Sequence, residues 1–156
     1  MNTRKAKPFP WTCLHCETKT VKPVVENYSI EVPYEGKLYA VCVQKAEIPT
    51  CSRCGRKVLT DQVNRQISAA LREKLELLTP EEITKNIDAL NMSQKDVAAL
   101  LRIAPETISR WIHGSVIQSR AMDTVLRLLF NVPAAREYLN KTAHSNTAFS
   151  KPAKAS

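Results

Sequence analysis

Two periodicities divide this chain. In the first third, apolar positions alternate with polar ones: Tyr28, Ile30 and Val32 follow a period of two, Glu35-Gly36 interrupts, and Leu38 to Val43 is rich in β-formers. This predicts a hairpin, and it sets Cys42 on one face with Leu38 and Ala40 as a small buried residue. From Thr60 the period becomes 3.6. Val63, Ile67, Leu71, Leu75 and Leu78 fall on one helical face. Thr79-Pro80-Glu81-Glu82 then predicts a fresh helix: Thr79 caps, Pro80 fits the first helical position and Glu82 completes a capping box, with Ile83, Ile87 and Leu90 facing inward.

Ser93 and Asp96 repeat that start signal, and the helix they open runs through Val97, Ala98 and Leu101 to about Arg102. Pro105 opens the next helix, from Glu106 to about His113, and Gly114 ends it in a left-handed conformation. A helix from about Ser119 to Phe130 follows, with Met122, Val125, Leu126 and Leu129 inward. Pro133 opens a last short one through Leu139. The fold class expected is α+β: a small N-terminal β domain, then an all-α domain. The divisions are a flexible basic N-terminus over 1–10, a β domain over 11–59, a connecting helix over 60–79, a helical domain over 80–140 and a disordered basic tail over 141–156.

Cysteine spacing adds chemistry to the first part. Cys13 and Cys16 form one Cys-x2-Cys pair, and Cys51 and Cys54 form another, with Gly55 behind it. Each pair turns two thiolates to one side, and two pairs complete the tetrahedral shell of a structural zinc, one per chain. An odd cysteine count argues against a disulfide framework. The insert between the pairs is long, so it must fold by itself, which agrees with the hairpin. His15 lies inside the first knuckle as a bystander. His15-x-Glu17 with Pro49-x-Cys51-x-x-Cys54 faintly echoes the zinc deaminases. Thr50, however, separates Pro49 from Cys51, Cys13 would have no role, and Pro33, Gly36 and Pro49 leave little room for the helices that chemistry needs. No enzymatic activity is expected.

Charge changes the picture of partners. The chain has a net charge of +8. Residues 1–60 hold ten Lys/Arg against five Asp/Glu, residues 61–140 hold ten of each, and the tail adds three Lys. A basic chain suggests a polyanionic partner. With no long apolar run and no apolar stretch behind the basic N-terminus, the expected compartment is the cytoplasm, with no membrane role.

Two short helices around a three- to four-residue turn form a helix-turn-helix, with Ala98 allowing close approach and Ile103, Ile108 and Trp111 filling the wedge. The stretch Met92 to Gly114 resembles a Cro-like (XRE-type) helix-turn-helix. Behind two zinc knuckles, it is similar to the MqsA-type antitoxins with their YgiT-type zinc finger, over about residues 13–140. The resemblance implies a homodimeric repressor-antitoxin of a type II toxin-antitoxin system. Its zinc domain would bind a cognate toxin, and its helical domain a palindromic double-stranded DNA operator. The family's base-reading Arg falls on Arg110, and its Asn position falls on Glu106. A carboxylate accepts from cytosine but cannot serve adenine as Asn does, so a different operator is expected. In this reading Gln94 and Lys95 hold phosphates, Glu106, Thr107 and Arg110 face base edges, and Ser109 and His113 reach nearby backbone. Leu126, Leu129, Phe130, Tyr138 and Leu139 offer the apolar surface expected for dimerisation. The competing reading is a stand-alone zinc-containing XRE-family regulator without a toxin.

Overall fold

The computed structural model describes residues 8–145. The expected flexible N-terminus falls largely on residues 1–7, outside the described ones. The fold is α+β, and the chain divides into two compact units, Met1–Lys74 and Leu75–Ser156.

The first unit is an antiparallel sheet in the order β1-β2-β3, with β1 Trp11–Thr12, β2 Lys19–Tyr34 and β3 Lys37–Cys51, followed by α1, Asp61–Lys74. The expected hairpin is present and longer than its alternating core. Tyr28 pairs with Val43, Ile30 with Val41 and Val32 with Tyr39. Directly opposed residues share a face, so Val41 and Val43 join Tyr28 and Ile30, and α1 packs on the sheet with Val63, Ile67, Leu71 and Arg72 buried. This corrects the reading of Cys42. It lies on the opposite face with Leu38 and Ala40, and it is exposed. Register decides the face, and composition alone chose the wrong one.

A bulge sits on β3 between the Tyr28–Val43 and Glu26–Ala46 pairs, where Gln44 and Lys45 face the single residue Asn27 of β2. Lys45 takes φ +49° and donates its amide to Asn27 Oδ1 at 3.0 Å. The extra residue reverses parity along β3: Tyr39, Val41 and Val43 turn inward before it, and Ala46 and Ile48 after it.

α1 stops at Lys74, so Leu75 and Leu78 are not on that helix. Leu78 instead joins the core of the second unit with Ile83, Ile87, Val97, Ala98, Ile108, Trp111, Leu126 and Leu129. That unit contains α2 (Pro80–Ala89), α3 (Gln94–Leu101), α4 (Pro105–Ile112), α5 (Arg120–Asn131) and α6 (Pro133–Ser145). Both capping boxes form, at Thr79/Glu82 and Ser93/Asp96. Gly114 has φ +70°. α6 runs past Leu139 to Ser145, so residues 141–145 are helical where disorder was expected; the rest of the tail lies outside the described residues. Leu126, Leu129 and Phe130 are buried in this unit's own core and Leu139 packs against it. They cannot supply a dimer surface. Among the described residues of this unit the exposed large apolar side chains are Val116, Leu128, Val132 and Tyr138, the last three on or between α5 and α6.

Candidate metal centre and nucleic-acid interface

The two Cys-x2-Cys pairs converge because β1, β2 and β3 lie side by side at one end of the sheet: Trp11 opposes Val21, and Val21 opposes Cys51. Each knuckle then closes by the same backbone bonds. Glu17 N donates to Cys13 O and Gly55 N to Cys51 O, both at 2.9 Å. Cys13 N and Cys51 N each reach a carbonyl five residues on, Thr18 O and Arg56 O. The equivalent closing positions, Glu17 and Gly55, both have positive φ, +55° and +71°. Gly55 accepts this freely. Glu17 is the strained copy of the same turn, which spacing alone did not reveal.

The Sγ atoms of Cys13, Cys16, Cys51 and Cys54 all lie within 4.8 Å of one another. A Zn–S bond of ~2.3 Å gives a tetrahedral S–S edge of ~3.8 Å, and Cys13 Sγ to Cys54 Sγ is 3.7 Å. The donor set therefore fits a divalent ion such as zinc. Cys13 and Cys51 are buried, and Cys54 is exposed. The Thr20 hydroxyl, 3.2 Å from Cys51 Sγ, heads the contacts that hold the Cys51 thiol down to about 6, with backbone amides of Cys54 and Arg53 assisting. Cys16 is pushed up to about 12, chiefly by hydrogen bonding with Cys54, then by burial and by the charges of Cys54 and Cys13. Sulfurs this close share protons; a bound cation would replace those protons. His15 Nδ1 is 3.8 Å from Cys16 Sγ and lies outside the four-sulfur set.

In the second unit, α3 and α4 enclose the turn 102–104. Ala98 and Ile108 are fully buried and Trp111 nearly so, which seats α4 against α3. Arg102 occupies the turn's left-handed position, φ +55°, and its guanidinium donates to Thr142 O on α6 at 2.9 Å. The outer surface of the motif carries the predicted contact residues. Gln94 and Lys95 are exposed in the first turn of α3. Glu106 and Arg110 are exposed on α4, and Thr107 and Ser109 are half-buried. Among the described residues neither Glu106 nor Arg110 is held in an ion pair. His113 is exposed but folds back, its Nδ1 donating to Ser109 O at 2.7 Å. One ring nitrogen is thus engaged within its own helix.

Sequence reasoning missed a buried polar cluster beside this motif. Asp123 Oδ1 accepts from Leu78 N at 2.8 Å and from Gln118 Nε2 at 3.0 Å. Gln118 Nε2 also donates to Leu78 O at 2.7 Å. Arg127 pairs with Asp123 Oδ2 at 2.7 Å and reaches Glu76 O. A legible signal existed: Asp123 falls among the inward positions of α5, between Met122 and Leu126, where an acid needs a partner. Gln118 and Arg127 are near in sequence, but the Leu78 backbone that completes the cluster lies 45 residues before Asp123, and no local pattern names it.

Residues 85–132 match the family model described as helix-turn-helix. No curated protein matches the chain. This stretch, less than a third of the chain, is thus similar to helix-turn-helix domains, and it holds all seven predicted contact residues. Among the described residues no helix is long and apolar enough to cross a membrane.

Proposed function

We propose that this protein is a sequence-specific transcriptional repressor and the antitoxin of a type II toxin-antitoxin system. The observation that carries the DNA-binding part is the matched helix-turn-helix, with Arg110 and Glu106 exposed on α4 while Ile108 and Trp111 anchor it. Gln94 and Lys95 hold phosphates, Glu106, Thr107 and Arg110 read bases, and Ser109 and His113 approach the backbone. The helical domain, residues 80–140, balances near zero charge, so its salt dependence is modest and a homodimer on a palindromic operator supplies the remaining contacts. Exposed Leu128, Val132 and Tyr138 are available to that dimer.

The β domain, residues 11–59, carries one structural zinc on Cys13, Cys16, Cys51 and Cys54 and docks the cognate toxin. The four-sulfur geometry supports the zinc assignment, and the resemblance to MqsA-type antitoxins supports the toxin. Affinity purification from the native host tests the whole reading. It should recover a small toxin at one-to-one stoichiometry, lost when the β domain is deleted, and footprinting should show protection upstream of the chain's own operon. Operator protection with no recovered toxin would favour the stand-alone regulator. No protection of any promoter would sink both.

A further inference from the structure

The knuckle end of the first unit combines stacked aromatic rings with cations. Phe9 and Trp11 stack with centroids 4.3 Å apart and planes 20° from parallel. Trp11 packs against the Cys13, Val21 and Cys51 cluster, which fixes the inner ring of the stack, while Phe9 stays 39% exposed. On the neighbouring strand Lys19 opposes Thr12, whereas Lys22, Thr50 and Lys57 line up on the sheet face opposite to Trp11, Val21 and Cys51. Arg53 and Arg56 stand exposed on the second knuckle, and Leu14 on the first is 99% exposed.

The local charge favours an anion. Residues 8–25 and 48–60 contain five Lys/Arg and one acid, Glu17. Lys57 is neutralised by Glu26, and four thiolates with a divalent ion subtract two further charges, which still leaves a positive balance. Among the described residues Lys19, Lys22, Arg53 and Arg56 meet no carboxylate. A protein-docking centre is depleted of Lys, whereas a single-stranded nucleic acid uses both parts of this surface: an unpaired base has a free π-face for Phe9, and its phosphates suit the flanking cations. Duplex bases are already stacked and offer no such face.

We infer that the knuckle end is a binding surface for single-stranded nucleic acid, with Phe9 stacking a base and Lys19, Arg53 and Arg56 holding its phosphates. This goes beyond the operator and toxin reading and does not rest on it. The test uses the metal-loaded full chain and labelled oligo(rU) and oligo(dT), measured by fluorescence anisotropy across a salt series. Phe9→Ala should weaken binding roughly tenfold. Arg53→Ala with Arg56→Ala should lower the salt slope by about 1.4. Unchanged metal content certifies that these exposed substitutions spare the fold, and Arg53→Lys should restore most of the charge-dependent binding. Arg110→Ala should leave oligonucleotide binding intact. Equal affinity for the two oligomers assigns the contact to phosphate and base face; preference for oligo(rU) adds the 2′-hydroxyl. The inference is overturned if neither oligomer binds, if binding follows Arg110 and ignores the knuckle, or if the same substitutions abolish only capture of a protein.

Discussion

The two units solve the problem of stability in different ways. The second builds a continuous apolar core from elements along its whole length, Leu78 to Leu129. The first lays one helix on one face of a long hairpin, leaves the other face open, and gathers its strand ends around four sulfurs. Among the described residues its knuckle cluster has Cys13, Val21 and Cys51 as buried members, with Trp11 and Cys16 packed against them. So small an apolar cluster contributes little to holding these strand ends together, which leaves a cross-link the larger part to play there. The first unit thus joins packing under α1 to a four-sulfur donor set suited to a metal cross-link at its strand ends, and the second relies on packing.

The sharpest break of this comparison is removal of the metal. Chelation or Cys51→Ser should unfold the knuckle half and leave the helical unit intact, because structural zinc contributes folding energy outright. Hydrogen exchange should show protection lost around residues 11–22 and 49–57 and retained in α2 to α5. Full zinc retention in Cys51→Ser would contradict the cluster. The converse test is Leu126→Ala. Leu126 is fully buried, so truncation should cost about 2–5 kcal/mol in the helical unit. Thermal unfolding should show the helical transition fall with metal affinity unchanged.

A smaller effect separates reading from holding on the α4 surface. Arg110→Ala should lose about 1–3 kcal/mol of discrimination at one operator position, and Glu106→Asn should shift preference at a neighbouring base. Binding to a panel of single-base operator variants checks this. Uniform weakening with a reduced salt slope would assign Arg110 to phosphate. Smallest is the α3 cap. Ser93→Ala should destabilise the helical unit by ~1 kcal/mol. The Ser93 hydroxyl and amide hold Asp96 below its ordinary value. The folded state thus prefers the carboxylate, and that contribution is complete above the unfolded-state value and lost as pH falls through the lower folded one. Acid titration of stability should show this loss in the native chain and a weaker one in Ser93→Ala.

Local signals were readable wherever cause and effect lie within a few residues. Thr79/Glu82 and Ser93/Asp96 form their boxes, Pro80 and Pro105 open helices, and Gly114 ends one. The paired knuckles announced the sulfur cluster because each turn is a four-residue device. Legibility failed where a distant partner decides. Cys42 was misassigned because its face depends on pairing with Ser29 across the hairpin. Leu126 and Leu129 were read as surplus apolar surface because their partners on α2, α3 and α4 could not be counted from α5 alone. The extension of α6 to Ser145 was missed because Lys141, Thr142 and Ala143 look like polar tail, yet Thr142 O receives Arg102 and Ala143 packs on the core.

The Asp123 cluster has a consequence for dissecting the chain. Leu78 gives both its amide and its carbonyl to side chains from the far side of the sequence, and Glu76 gives its carbonyl to Arg127. The segment before α2 is thus a structural part of the helical unit, although it has no regular secondary structure. An excised fragment beginning at Leu75 keeps these bonds. One beginning at Pro80, where the helix visibly starts, strips Asp123 and Gln118 of buried partners and uncovers the site Leu78 fills. The proper place to cut this molecule is set by whose side chains claim the backbone, five residues upstream of where its helices say.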